Sequence, residues 1–397
     1  CKAWNKAVNI IPGWPQQRLT QPSYRQTYTL AWETFPESLT LEVKAWEASL
    51  RGVDLLSDNH LDRPLSERTI ETRLFQLRQI ASALVHQGLE PSTITSFSML
   101  TEIETIRTAM QFFLDRSKGQ TTSQIFQFVI LLTGIAKHWL KRDEDDIAAL
   151  QRLKRRVSPA QIGMTESNRE KLRQFEDPGH LMALFDFPAS VFAKVRKKNR
   201  ITKREAVRVQ IALAVEFLLV MPIRAGNLAA LNIDTHLQWS RGRKAGDVHL
   251  VIPAEEVKNK EHLEFIIPDE PRELLESYLE EYRPVLLDQP SPWLFPGRNG
   301  NPKGRSCLST QITKHILKEI GLNIHPHLFR HLAAKLYLDE HPGGYEVVRR
   351  TLAHRSMDTT VRAYAGLESK SAAAHFDQTI LGIRDTLREA SRRAPNA

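Results

Sequence analysis

"HLQWSRGRKAGDVHLVIPAEEVKNKEHLEFIIP", residues 236–268, is the stretch of this chain that reads as strand. It combines glycine-containing turn signals with β-branched runs, the pattern of short strands joined by turns. On its N-terminal side, helical spacing is expected over about 169–186 and 203–221, and on its C-terminal side helices run to the end of the chain. A helical frame interrupted by a few strands predicts an α+β domain with a small antiparallel sheet. Within the stretch, Lys258 falls at a turn between two strand-like runs. Lys260, two residues on, is expected on the same face of a strand.

Further upstream the pattern is wholly helical. "SLTLEVKAWEASL" (38–50), "SERTIETRLFQLRQIASALVHQG" (66–88), "TEIETIRTAMQFFLDR" (101–116) and "TTSQIFQFVILLTGIAKHWLKR" (121–142) repeat apolar residues every three or four positions. Each has Ser or Thr at or near its start, where a hydroxyl can cap a helix. These segments predict an all-α bundle over 37–165, preceded by a Pro-, Trp- and Gln-rich arm over 1–36 and followed by a second domain over 166–397. The acidic run "DEDD" (143–146) suits a helix start, where it complements the dipole, better than a metal site. The fold as a whole is mostly α, with the small sheet confined to the second domain.

The composition narrows the function classes. A length of 397 residues with 41% hydrophobic content favours two domains. The longest apolar runs are too short to span a bilayer, and "IALAVEFLLVMPI" (211–223) contains Glu216. Cys1 and Cys307 are the only cysteines, which excludes a disulfide framework and a cysteine zinc site and points to a reducing cytosol. A chain that begins at Cys rather than Met is expected to be truncated or processed. A net charge of +9 suggests a polyanionic partner. The basic runs "RLKRR" (152–156) and "KVRKKNRITKR" (194–204) supply candidate contacts to a phosphate backbone in Arg152, Lys154, Arg155, Arg196, Lys197, Lys198 and Arg200.

"HPHLFRH", residues 325–331, packs three histidines and an arginine into seven positions. Pro326 can open a helix, so His327, Arg330 and His331 share a face. A zinc-protease helix would need Glu after its first histidine, and Leu328 stands there instead. "MPIRAGNLAALNI" (221–233) sets Arg224 at the end of an apolar helix, where an unpaired cation is costly unless it faces an anion. "RRTLAHRS" and "MDTTVRAYAGLES" then place His354 ten residues before Tyr364. Two arginines, a lysine, two histidines and a tyrosine without a carboxylate cluster suit phosphate chemistry with side-chain cations rather than a metal. A free tyrosine near pKa 10 is ionised only about once in a thousand at pH 7, so attack on a phosphodiester needs a base or cations beside it.

This order of residues resembles the tyrosine recombinase (phage integrase) family, and residues 165–370 carry the resemblance. It implies that Arg224 and Arg330 clamp the scissile phosphate, that Lys258 is the hairpin lysine acting as general acid, that His327 assists proton transfer, that His354 hydrogen-bonds the phosphate and that Tyr364 is the nucleophile. The helical region upstream resembles that family's core-binding domain. Asn227, Ala353 and Lys335 depart from the common pattern. The implied activity is site-specific recombination of double-stranded DNA through a 3′-phosphotyrosyl intermediate, by a homo-tetramer on paired sites, without cofactor or metal. Accessory DNA-bending proteins and a cytoplasmic, nucleoid-associated location follow from the same resemblance. The alternatives are a type IB topoisomerase-like relaxing enzyme and a non-catalytic DNA-binding protein of the same fold. An apolar stripe at Phe376, Ile380, Ile383 and Leu387 must be covered, either by its own domain or, as the family suggests, by a neighbouring subunit.

Overall fold

The computed structural model describes residues 4–5, 7–8, 11–19, 27–52, 64–159, 163–240, 246–364 and 369–393. They fall into two compact units, Cys1–Ala160 and Gln161–Ala397.

The first unit is a helical bundle built on α1 (Glu37–Leu50), α2 (Glu67–His86), α3 (Ile103–Arg116), α4 (Ser123–Gly134) and α5 (Glu144–Arg156). Leu39, Val43, Trp46 and Leu50 form the buried stripe of α1, spaced as the sequence pattern requires. Ser66 and Thr122 cap α2 and α4 by accepting from the backbone N–H three residues on. Asp143 caps α5 in the same way, and Glu144, Asp145 and Asp146 fill its first turn opposite Lys154, Arg155 and Arg156 in its last. Both ends of α5 therefore oppose its dipole. Residues 27–35, placed in the arm by sequence, lie on the bundle: Phe35 is buried, and Tyr28, Leu30 and Trp32 pack on the core. Gln79 Nε2 donates to the Tyr28 hydroxyl at 2.6 Å, and Leu30 N donates to Ser82 Oγ at 2.8 Å. Burying three aromatic rings outweighs the cost of ordering this short segment.

The second unit is the α+β one. Its pattern over 169–186 is not a single helix, because the Asp177 side chain accepts from Gly179 N and caps a new start. The segment thus divides into α6 (Glu166–Arg173) and α7 (Pro178–Arg196), the latter running through Pro188. α8 (Lys203–Val220) begins with a reciprocal capping box between Thr202 and Glu205 and is buried nearly all round from Ala206 to Leu218. It is the central rod of the unit, with α7 and later helices packed around it. A short α9 (Ala225–Ala229) leads to the sheet β1 (Leu237–Trp239), β2 (Val248–Ile252) and β3 (Leu263–Ile267). The strands pair antiparallel in sequence order, with Leu237 opposite Leu250 and Leu250 opposite Phe265. Val248, Leu250 and Ile252 face the core, the period-2 alternation of a half-covered sheet. α10 (Asp269–Ser277), α11 (Arg305–Ile320), α12 (Pro326–Glu340), α13 (Tyr345–Thr351), α14 (Met357–Tyr364) and α15 (Ser369–Arg393) complete the unit.

One expectation about the β2–β3 connection fails. Lys258 and Lys260 do not share a strand face, because 258–260 form a turn in which Lys260 adopts a left-handed φ of 57°. Its ammonium donates to the Glu255 carbonyl at 2.9 Å, while Lys258 is exposed.

Candidate active site

Four chain segments meet at Tyr364, and backbone carbonyls hold them in place. α12 begins as the sequence predicts: Pro326 occupies its first position, and the His325 ring caps it by accepting from Leu328 N at 3.2 Å. This start leaves His327 exposed and turns Arg330 and His331 inward, 3% and 8% exposed. The Arg330 guanidinium donates through Nη1 to the Pro222 carbonyl and through Nη2 to the Leu352 carbonyl, the latter at 2.6 Å. It is thereby locked between the end of α8 and the end of α13. Burial, then the nearby Arg224, pulls its pKa down to about 10, so it stays charged at neutral pH.

Arg224 stands at the start of α9, beyond the apolar α8. It is half-buried, its Nη1 has no hydrogen-bond partner, and burial holds its guanidinium below the ordinary value. Neither arginine makes an ion pair among the described residues. Two desolvated cations with no carboxylate between them leave an uncompensated positive charge, which an anion would neutralise.

α13 ends in a turn where Ala353 takes a left-handed φ of 48°. An alanine in this conformation carries a cost, since a Cβ is crowded there. The turn points the Leu352 carbonyl at Arg330 and the Ala353 carbonyl at Asn259 Nδ2, 2.6 Å away. Asn227 Nδ2 donates to the Glu256 carbonyl at 3.0 Å. Two amides thus staple the loop carrying Lys258 beside the Arg224 and His354 segments. An acidic side chain at 227 could not make that donation.

His354 lies flat against the Tyr364 ring, centroids 6.0 Å apart and planes 5° from parallel, and its Nδ1 is 2.9 Å from Thr360 Oγ1. His331 meets the Tyr364 ring edge-on at 5.6 Å and the His327 ring at 4.7 Å. Burial, followed by the field of Arg330, pushes His354 down to about 4. Burial and then His327 push His331 down to about 3. His327 is also held below its ordinary value, first by desolvation and then by Arg330. All three rings are neutral at pH 7. Tyr364 is 2% exposed, and burial drives its hydroxyl up to about 12 against the opposing pull of Arg330 and Arg224.

The structure therefore gathers Arg224, His327, Arg330, His354 and Tyr364 around one point. Lys258 is placed on the adjoining loop, with no hydrogen bond or ion pair among the described residues. Of the candidate DNA contacts, Arg152 and Arg155 are exposed and Lys154 is half-buried on α5; Lys197 and Arg200 are exposed past α7. Arg196 donates to Ser277 Oγ at 3.3 Å, and Lys198 is paired with the capping carboxylate of Glu205. Sequence reasoning left out Thr360, Asn259 and the burial of His331. The signal for Thr360 was its spacing, one helical turn before Tyr364.

Among known proteins, residues 193–370 match the phage integrase family. The tyrosine recombinase XerC of Pseudomonas fluorescens is 30% identical over 103 residues, 25% of this chain and 34% of that protein. The match thus spans about a third of the length of this curated relative. The XerH site-specific recombinase bound to a palindromic difH substrate is 16% identical with a TM-score of 0.46, covering 81% of this chain and 80% of the other. The Tn1549 transposon integrase in complex with transposon right end DNA is 14% identical with a TM-score of 0.48, covering 86% and 99%.

Proposed function

We propose, from the match of residues 193–370 to the phage integrase family, that this chain is a site-specific DNA recombinase that cleaves and rejoins strands through a 3′-phosphotyrosyl bond on Tyr364. The observation that carries this reading is the pair of desolvated arginines, Arg224 and Arg330, facing a buried neutral tyrosine with no carboxylate to pair with. That arrangement is costly in an empty site and favourable around a phosphodiester.

In the forward step the Tyr364 oxygen attacks phosphorus, its proton passes to neutral His327, and the bond from phosphorus to the 5′ oxygen breaks. Lys258, standing on the exposed loop, gives the leaving oxygen its proton. Arg224 and Arg330 take up the charge that builds on the non-bridging oxygens, and His354 donates a hydrogen bond to one of them. Because the phosphotyrosyl bond keeps the energy of the phosphodiester, the reverse step reseals DNA with the same groups in exchanged roles. A tyrosine at about 12 is ionised in roughly one molecule in 100,000 at pH 7. The nucleophile therefore stays protonated until a base beside it takes the proton as the oxygen attacks phosphorus.

The first unit supplies further grip on duplex DNA through Arg152, Lys154 and Arg155, and Arg196, Lys197, Lys198 and Arg200 do the same on the second. The partner is double-stranded DNA, and the assembly is a homo-tetramer on two sites. The tetramer reading rests on α15, where Phe376, Ile380, Ile383 and Leu387 are all exposed. An uncovered stripe of this size calls for a second surface. DNA-bending proteins assist where the site requires it, and the work is done on DNA in the cytoplasm. Among the described residues no helix is long and apolar enough to cross a membrane.

The test is a nicked suicide duplex from which the short 5′-hydroxyl fragment diffuses away. The unaltered protein should accumulate as a denaturation-resistant adduct mapped to Tyr364, and Tyr364→Phe should bind the duplex and form none. An adduct on another residue, or one undiminished in Tyr364→Phe, overturns the reading. Relaxation of supercoiled DNA without exchange between two sites would make the chain a relaxing enzyme instead.

A further inference from the structure

Thr360 is completely buried, and its hydroxyl has two acceptors in reach: His354 Nδ1 at 2.9 Å and the Ser356 carbonyl at 3.5 Å. A threonine has one hydroxyl proton to give. The carbonyl lies at the outer limit of a hydrogen bond, whereas the ring nitrogen is well within it. The ring nitrogen has no other donor among the described residues. The proton is therefore best used on His354.

That choice matters because a neutral imidazole exists as one of two tautomers with opposite behaviour at the far nitrogen. With Nδ1 accepting, the hydrogen sits on Nε2, and His354 donates into the site. With Nδ1–H donating to threonine, Nε2 carries a lone pair that repels a phosphate oxygen. The groups around the ring do not settle this unaided. Burial, then Arg330 and Arg224, keep it neutral, Tyr364 covers one face, and the His354 backbone is fixed by Arg349, whose Nη1 donates to its carbonyl at 3.1 Å. Among the described residues only Thr360 touches a ring nitrogen.

We infer that Thr360 is a positioning residue that holds His354 as the Nε2–H tautomer, so that an uncharged histidine serves as a hydrogen-bond donor to the scissile phosphate. The functional half of this inference rests on the recombinase reading above; the tautomer itself does not. A donor without a charge suits this site, where a third cation beside Arg224 and Arg330 would have to be desolvated in the field of both. The helix register does the aiming. Thr360 precedes Tyr364 by one turn, so the residue that orients the phosphate donor and the nucleophile ride on the same rigid element.

Thr360→Val keeps the shape and removes the hydroxyl, and Thr360→Ser restores it. In the full-length protein with 15N-labelled histidine at neutral pH, free and with inorganic phosphate added, the His354 ring nitrogens should report Nε2–H in the unaltered chain and in Thr360→Ser. Thr360→Val should give a mixture or the Nδ1–H form. On the nicked duplex Thr360→Val should form its adduct slower by on the order of tenfold, with DNA affinity unchanged, and Thr360→Ser should recover the rate. An Nδ1–H signal in the unaltered protein, or a Thr360→Val tautomer indistinguishable from it, overturns the inference. If Thr360 were only packing, the isosteric valine would leave tautomer and rate alone. Loss of the recombinase reading would show separately, as adduct formation independent of Tyr364, without touching the nitrogen spectrum.

Discussion

Acidification from pH 7 to pH 5 should destabilise the second unit by an amount the site itself sets. His331 and His354 have folded values of about 3 and about 4 against 6.5 in the unfolded chain. Lowered folded values mean that the unfolded chain binds protons first. The stability these neutral rings contribute is present above 6.5 and drains away as pH falls toward 4. Over these two pH units each histidine removes about 2 kcal/mol, or about 4 kcal/mol for the pair. Glu216 on α8 acts in the opposite sense, since burial and then Glu270 raise its carboxyl from 4.5 to about 7. It takes up its proton in the folded state and returns about 2 kcal/mol over the same interval. His331, His354 and Glu216 together therefore account for a net loss of about 2 kcal/mol in the unaltered protein and about 4 kcal/mol in Glu216→Gln, where the offset is gone, and the lowered His315, His325 and His327 add to both in the same sense. Urea unfolding followed by 19F signals from fluorotryptophan at Trp239 and Trp293 isolates the second unit. Equal stability at pH 7 and pH 5 in Glu216→Gln, or His331 and His354 resonances titrating near 6.5, would refute the reasoning.

Three further outcomes are expected. Gly163, at a φ of +116°, backs directly onto the Arg362 carbonyl of α14, so Gly163→Ala should cost about 1–3 kcal/mol of second-unit stability; an unchanged urea midpoint would show that this segment does not press on the helix carrying Tyr364. Lys258→Ala should slow adduct formation by on the order of a hundredfold while Lys260→Ala, whose ammonium already serves the Glu255 carbonyl, stays near the unaltered rate, and the reverse ranking would move the general acid to Lys260. Lys197→Ala with Arg200→Ala should flatten the salt dependence of DNA binding by roughly two units of slope, whereas Lys198→Ala should lower stability by breaking its pair with Glu205; unchanged slopes in a salt titration would make the run plain surface.

The helices and the location of the sheet were legible because period and cap chemistry are local: Ser66, Thr122 and Asp143 each sit where a hydroxyl or carboxylate meets the N–H three residues on. The chain order Arg224, Lys258, His327, Arg330, His354, Tyr364 was equally legible, being a matter of residue type and spacing. What the sequence hid depends on packing or on a single dihedral. A two-residue spacing suggested one strand face for Lys258 and Lys260, and a left-handed turn at Lys260 undid it. Ala353 could be noticed as a departure, but its reason is a φ of 48°. His331 reads as one histidine among three until its ring is found against Tyr364. Thr360 carries no chemistry until a histidine nitrogen arrives within 2.9 Å.

Arg330 is held by two main-chain carbonyls, of Pro222 and Leu352, from segments far apart in sequence. Its position is therefore referenced to the polypeptide frame rather than to the rotamers of other side chains. Under the proposed function the guanidinium works as a gauge block: a scissile phosphate would be measured against wherever the ends of α8 and α13 happen to lie. Repacking the core beneath either end by a fraction of an ångström would miscalibrate that measurement while leaving the DNA-binding surfaces untouched. Inactive variants that still bind DNA tightly should accordingly map to apolar positions such as Ile223 and Val348, well beyond the residues that meet the substrate.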